Sequence, residues 1–216
     1  GNVGQKSFGD FVRVLKERKK TAWPEWVENT PNQPPPQRVE STAIRLTMIN
    51  HATVLIQTEG FNFLTDPIWS ERCSPVSFAG PKRHRPPGVA FDDLPKIDAV
   101  LISHNHFDHL DLPTLRRLEQ RDGPLFLAGL GTRAFLESEG MTRVVELDWW
   151  QKHPFHEKID LVFVPAQHWS KRNFFGQDEM LWGGFVIATS EKNIFFAGDT
   201  GYSPHFKKIR QKLGPI

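Results

Sequence analysis

What this sequence is short of narrows its class before any motif does. It holds a single cysteine, Cys73, so no intrachain disulfide can form and no zinc site of several thiolates can be built. No run of about 18 apolar residues occurs, which leaves no segment that reads as a membrane-spanning helix. A large charge of one sign is also missing. The 27 Lys and Arg against 25 Asp and Glu leave a formal charge of +2, which argues against nucleic acid as a partner. The first twenty residues lack the apolar core of a secretory leader, so a cytoplasmic location, or a peripheral one at a membrane surface, is expected over secretion. What the chain does contain is 7 Trp and 17 Phe in 216 residues, enough apolar material for one folded domain with a short appendage. It also contains nine histidines, and their placement carries the functional argument.

Residues 1–43 form the appendage. Phe8, Phe11, Val12 and Leu15 recur at helical spacing between Arg13, Lys16, Arg18, Lys19 and Lys20. This predicts a basic amphipathic helix, either docked on its own domain or lying on a membrane surface. A connector rich in proline follows, with Pro34, Pro35 and Pro36 in a row. Residues 44–216 form the main domain. Alternation at Ile44, Leu46 and Met48 opens a strand, 53–57 a second, and 61–65 a third after a turn at Glu59 and Gly60. Residues 66–95 are a long proline-containing loop, the kind more often functional than idle. A short buried strand at 99–103 runs straight into histidines. Asp111 is expected to cap a helix to about 120, and Thr132 one that ends at Gly140. Further strands are expected at 144–147, 160–165, 185–188 and 193–197, with a last helix at 205–213. Strands interleaved with helices predict a layered α/β domain.

The central feature is Ser103-His104-Asn105-His106-Phe107-Asp108-His109. In an extended segment His104 and His106 point to the same side, while Asp108 and His109 follow where the chain turns. Imidazole and carboxylate suit the same class of metal, and four candidate ligands in six residues imply two adjacent ions. Crowding four titratable groups at a buried strand end without a purpose would be costly. His168 and Asp199 each follow an apolar strand in the same manner, and a carboxylate can bridge two cations.

With His168 and Asp199 added, this pattern resembles the metallo-β-lactamase superfamily of dinuclear metallohydrolases. Within it, Asn50-His51-Ala52-Thr53, Leu64-Thr65-Asp66-Pro67, Gly80-Pro81-Lys82-Arg83, Glu146-Leu147-Asp148-Trp149-Trp150, Gln167-His168-Trp169 and Ala197-Gly198-Asp199-Thr200-Gly201-Tyr202 resemble N-acylphosphatidylethanolamine-hydrolysing phospholipase D. The resemblance implies an αββα sandwich with two Zn2+ ions. His104, His106 and His168 would hold one, Asp108 and His109 the other, and Asp199 would bridge them, with Asp108 and Asp199 catalytic. A phospholipid would be cleaved to an N-acylethanolamine and phosphatidic acid by metal-activated hydroxide. The family also has a further histidine and a second half downstream. His205 is the one histidine beyond Asp199, and it lies too close to match. The chain is therefore expected to be the N-terminal portion of the sandwich, its first sheet left with a bare apolar face. A complementary C-terminal segment or an oligomer would cover that face, and the second metal would bind more weakly than the first.

The remaining candidates have competing roles. His51 is expected to support the site rather than to ligate. Lys82, Arg83 and Arg85 either meet phosphate or form a solvated loop. Lys171, Arg172, Phe174 and Phe175 suit an amphiphilic substrate or a lid packed on the domain. Lys16, Lys19, Lys20, Lys171 and Arg172 are expected to favour an anionic lipid surface. His153 and His156 have no assigned role, and Cys73 is expected to be inert. A hydrolase of the same fold with a lactone or small phosphodiester as substrate, or an inactive metal-binding fragment, are the alternatives.

Overall fold

The computed structural model describes residues 9, 13, 16–17, 24–30, 33–172 and 176–216. Six strands form the first sheet in chain order: β1 (Arg45–Asn50), β2 (Thr53–Thr58), β3 (Phe61–Thr65), β4 (Ala99–Leu101), β5 (Leu125–Gly129) and β6 (Val144–Leu147). The first three pair antiparallel, whereas β3 to β6 run parallel. At the β2–β3 turn Glu59 and Gly60 both have positive φ, 51° and 77°, the twist a two-residue hairpin needs. The second sheet is antiparallel in the order β10-β9-β8-β7, built from β7 (Lys152–His156), β8 (Ile159–Val164), β9 (Gly184–Thr189) and β10 (Asn193–Phe196).

Alternation along the strands dictates the layers. Leu64, Val100 and Phe126 of the first sheet pack against Leu115 and Leu118 of α1 (Leu112–Asp122) and Leu136 of α2 (Arg133–Ser138). Their neighbours Phe63, Ala99, Leu101 and Leu127 point the other way, onto Leu161, Phe163, Phe185 and Ile187 of the second sheet. Val162, Val164 and Val186 on the far face of that sheet meet Ile209 of α3 (His205–Leu213). The order is helix, sheet, sheet, helix, as the resemblance implies. The apolar face expected to be bare is thus covered within this chain, because Phe63 and Leu101 are fully buried beneath β8 and β9. At β1, the edge strand, Leu46 and Met48 remain 60% and 59% exposed.

Three further differences from the sequence expectation have physical causes. β7 has a polar sequence, Lys-His-Pro-Phe-His, and the expectation placed no strand there. Its register shifts beside Pro154, which an edge strand tolerates because one side of it needs no ladder bonds. Asp111 precedes α1 but makes no side-chain capping bond. Its carboxylate instead accepts from Ser70 N (3.2 Å), Ser70 Oγ (2.7 Å) and Thr114 Oγ1 (2.5 Å), tying the 66–95 loop to the helix start. Thr132 likewise makes no side-chain cap on α2. In the appendage, Gly9, Arg13, Lys16 and Glu17 are helical and exposed. Phe8, Phe11, Val12, Leu15, Lys19 and Lys20 lie outside the described residues. The proline-rich connector is docked by its backbone, since Gln57 Nε2 donates to Pro36 O and Asn62 Nδ2 to Gln37 O.

Candidate metal centre

Strand ends of both sheets meet at one edge of the sandwich. β4 delivers Ser103 to His109, held in a tight turn in which the amides of His109 and Leu110 donate to His106 O. His168 follows β8 and Asp199 follows β10. The two sheets touch at the site through Gly198, whose φ is 58° and whose missing Cβ would lie 2.6 Å from Ser103 Cβ. No side chain fits there.

All six predicted ligands gather at this edge. His104 Nε2 is 2.8 Å from His106 Nδ1, and His168 Nε2 is 3.3 Å from the same atom. Donors bound to one tetrahedral zinc at 2.0–2.1 Å are roughly 3.3 Å apart, so these three nitrogens can share an ion with only small adjustment. A second group lies beside it. His109 Nε2 is 3.8 Å from Asp108 Oδ2 and 3.4 Å from Asp199 Oδ1, while Asp199 Oδ2 is 3.9 Å from His168 Nε2. The two oxygens of Asp199 therefore face different clusters. His109 is fully buried, and its Nε2 has no hydrogen-bond partner. A buried polar atom without a partner is costly, and one aimed at two carboxylates fits a cation. Nitrogen and oxygen donors without sulfur suit zinc and also iron or manganese.

Support beneath the donors comes from Asp66, whose part the sequence reading did not foresee. This fully buried carboxylate accepts from Ser103 N (2.7 Å), Ser103 Oγ (2.6 Å) and His109 Nδ1 (2.7 Å). Ser103 Oγ in turn accepts from His104 Nδ1 at 2.8 Å. One carboxylate thus leaves Nε2 of both His109 and His104 free for a metal. Asp66 itself has φ of 32°, a costly conformation for a residue other than glycine.

Charge divides the two clusters. Burial pushes His104 down to about 2 and His106 down to about 4, and lowers His168. These three are uncharged near neutral pH, with lone pairs available. Burial would lower His109 too, but Asp199, Asp66 and Asp108 outweigh it and lift the imidazole to about 10. The proximity of His109, whose Nε2 is 3.4 Å from Oδ1, holds Asp199 down to about 2. Asp108 sits well below the usual carboxylate range, chiefly through its bond to His51.

The outlying candidates are placed as follows. Arg172 is directed inward: Nη1 donates to Asn105 O (3.0 Å) and Leu110 O (2.9 Å), and the guanidinium lies 4.3 Å from the Phe107 ring centroid. It clamps the ligand loop, in place of the outward orientation that substrate contact would require. Lys171 forms a backbone bridge to Gln177, and Phe174 and Phe175 lie outside the described residues. Lys82 pairs with Glu71 at 2.7 Å, Arg85 Nε donates to Asn29 Oδ1, and Arg83 Nε and Nη2 donate to Ser70 O. These residues line a cavity of about 480 Å³ that also reaches His51 and Asp108. His205 is engaged by Ser203 Oγ and Thr200 Oγ1. His156 packs on Phe61, in the second sheet's edge strand.

Comparison with known proteins agrees with this geometry. Residues 61–216 match the family model described as a beta-lactamase superfamily domain. The chain is 37% identical over 180 residues to N-acyl-phosphatidylethanolamine-hydrolyzing phospholipase D 1 of Caenorhabditis elegans, covering 79% of this chain and 51% of that protein. Among solved structures, isothiocyanate hydrolase from Delia radicum gut bacteria superposes with a TM-score of 0.62 at 25% identity, over 79% of this chain and 68% of that one. A diiron beta-hydroxylase from Streptomyces venezuelae gives 0.58 at 27% identity, over 82% and 34% respectively. The chain spans about half the length of the first curated relatives it matches.

Proposed function

The chain belongs to the β-lactamase superfamily, and from that premise we propose that it carries the dinuclear centre of a phospholipase D-type phosphodiesterase. The observation that carries this is the pair of adjacent donor clusters, with Asp199 presenting one oxygen to each. We assign His104, His106 and His168 to one position, Asp108 and His109 to the other, and Asp199 to both. A dication of the zinc type, when bound, supplies Lewis acidity and brings the pKa of a coordinated water toward about 7.

The residues of this chain do the rest. The neutral imidazoles of His104, His106 and His168 offer lone pairs without repelling a cation. Asp108, kept ionised by His51 (Nε2 to Oδ2, 3.0 Å), accepts the proton of an attacking water at its carboxylate. Attack on phosphorus breaks the bond to the ethanolamine oxygen, which takes up the proton held by Asp108, giving phosphatidic acid and an N-acylethanolamine. The cavity beside Asp108 provides room for the headgroup. Trp169, half-exposed with its ring 4.3 Å from that of His106, offers an apolar wall at the rim. The name of the nematode relative supports this substrate. The basic residues Lys16 and Lys171 favour a peripheral approach to an anionic membrane.

Purified protein incubated with a defined N-acylphosphatidylethanolamine, its products followed by mass spectrometry and its metals by elemental analysis, tests the proposal. Release of both products in proportion to bound metal is expected. Oxidative chemistry at iron is the second reading, favoured by the match to the diiron hydroxylase. It would stand if only iron were found and no phosphodiester were cleaved.

A further inference from the structure

We propose that Arg85 is the cation of the 66–95 loop that binds the substrate's phosphate, and that Asn29, ahead of the first strand, positions it. This rests on the phosphodiesterase reading above and names a contact in the same cavity, outside the two donor clusters.

Three cations of the loop line that cavity, Lys82, Arg83 and Arg85, and their hydrogen bonds separate them. Lys82 is taken up by Glu71 at 2.7 Å. Arg83 is half-buried with Nε and Nη2 on Ser70 O, so it ties the loop to the segment that Asp111 holds. Arg85 differs. Its Nε donates to Asn29 Oδ1 at 2.9 Å, and among the described residues neither Nη has a partner. An anchored Nε leaves the two Nη groups as a fork, which can meet two oxygens of one phosphate together.

Asn29 turns its whole amide onto this loop. Nδ2 donates to Pro86 O (3.0 Å) and Pro87 O (2.9 Å), while Oδ1 accepts from Arg85. Two successive prolines bring no N–H with which a neighbouring segment could pair. A side-chain amide, with two donors and an acceptor, answers all three groups. On its other side the loop is fixed to β1: Gly88 N donates to Ile49 O at 2.7 Å, and a Cβ on Gly88 would come within 2.9 Å of Met48 O. Apolar burial does not account for the docking of residues 24–30. Trp26 and Val27 are 45% and 41% exposed, and Asn29 alone of the seven is turned partly inward. This segment precedes residues 61–216, which match the family model, yet Asn29 lines the cavity together with Arg85 and Asp108. A phosphodiester held by Arg85 would thus lie in the space that reaches the proposed centre.

The probe is dihexanoyl phosphatidic acid, a soluble form of the proposed product, titrated calorimetrically into the chelator-treated full chain so that no metal holds its phosphate. We expect binding that Arg85→Met weakens by about 10–100-fold, the range for a hydrogen bond to a charged group, with Arg85→Lys restoring part. Asn29→Ala should weaken it by about 3–10-fold, and should add nothing once residue 85 is methionine. Lys82→Met should change it by less than about threefold, its ammonium being paired already. Urea unfolding reports that each variant folds. No binding by the parent, or equal losses in Lys82→Met and Arg85→Met, overturns the phosphate contact. Full additivity of Asn29→Ala with Arg85→Met overturns the positioning role. Cleavage of N-acylphosphatidylethanolamine by the metal-loaded protein is measured separately. If the parent cleaves it with a KM indifferent to Arg85→Met, the contact fails while the phosphodiesterase reading stands. If the parent cleaves nothing yet binds the probe through Arg85, that reading fails and the contact stands.

Discussion

The two donor clusters share one loop yet are built on opposite principles. His104, His106 and His168 form a neutral cluster in which burial suppresses protonation. His109 stands among carboxylates that raise it to about 10, and Asp108 and Asp199 are partly open to solvent. The first cluster is shaped for a metal by geometry alone. The second calls for positive charge before any metal arrives. Adjacent sites can therefore differ in what recruits the ion: preorganised lone pairs in one, an unbalanced field in the other.

The sharpest way to break this contrast is to remove a first-cluster donor. His106→Ala should abolish cobalt binding at that position and reduce product release to background, with thermal stability of the metal-free chain changed by no more than about 1 kcal/mol. Retained turnover would show that the neutral cluster is structural.

Asp66→Asn probes what the clusters share. It leaves His109 Nδ1 and the Ser103 hydroxyl facing an amide, so stability should fall by about 3 kcal/mol and metal affinity by about 10–100-fold at both positions. Ser103→Ala should weaken only the His104 side. Equal effects of Ser103→Ala on both would mean that the relay through Ser103 is not what orients His104.

Arg172→Met tests whether the ligand loop needs its clamp. Loss of two bonds to backbone carbonyls should cost about 2 kcal/mol, and Arg172→Lys should recover part of it, since an ammonium cannot lie flat on Phe107. An unchanged denaturation midpoint would show that the turn at His106 holds the loop unaided.

The smallest effect is on pH dependence in chelator-treated protein. The folded-state values of His104, His106 and His168 lie below the unfolded value near 6.5, so the unfolded chain takes up protons that the fold refuses. Stability should fall as pH drops from about 6.5 toward 4. His109 has the opposite sign, and its contribution, present below 6.5, should be lost as pH rises through 10. Urea midpoints across this range should peak near 6.5, and a monotonic rise to pH 9 would contradict the account of His109.

Much of this site was legible because its donors stand beside one another in sequence or at the ends of apolar strands. His104 to His109 needed no tertiary information, and His168 and Asp199 followed β8 and β10 in the same pattern. Asp66 was not legible, because its role depends on β3 lying parallel to β4, which sets it against Ser103 from 37 residues away. A pairing argument could have found it, since Asp66 and Ser103 end neighbouring parallel strands. Arg172 misled for a related reason: sequence shows its charge but not the side of the loop it faces. β7 escaped notice because an edge strand with a proline has little apolar alternation to display. Helix starts were right in position and wrong in mechanism, as Asp111 binds Ser70 and Thr114 rather than the helix amides.

The contact of Gly198 with Ser103 has a mechanical consequence. Each of these residues immediately precedes a proposed metal ligand, Asp199 on one sheet and His104 on the other. Their separation works as a gauge block, setting how far apart the jaws of the site stand. A methyl at 198 would meet Ser103 Cβ at 2.6 Å and wedge the jaws open, altering the span between donors without touching one of them. The tolerance of the whole centre is thus machined at a position that contributes no chemistry, where the only acceptable part is a hydrogen atom.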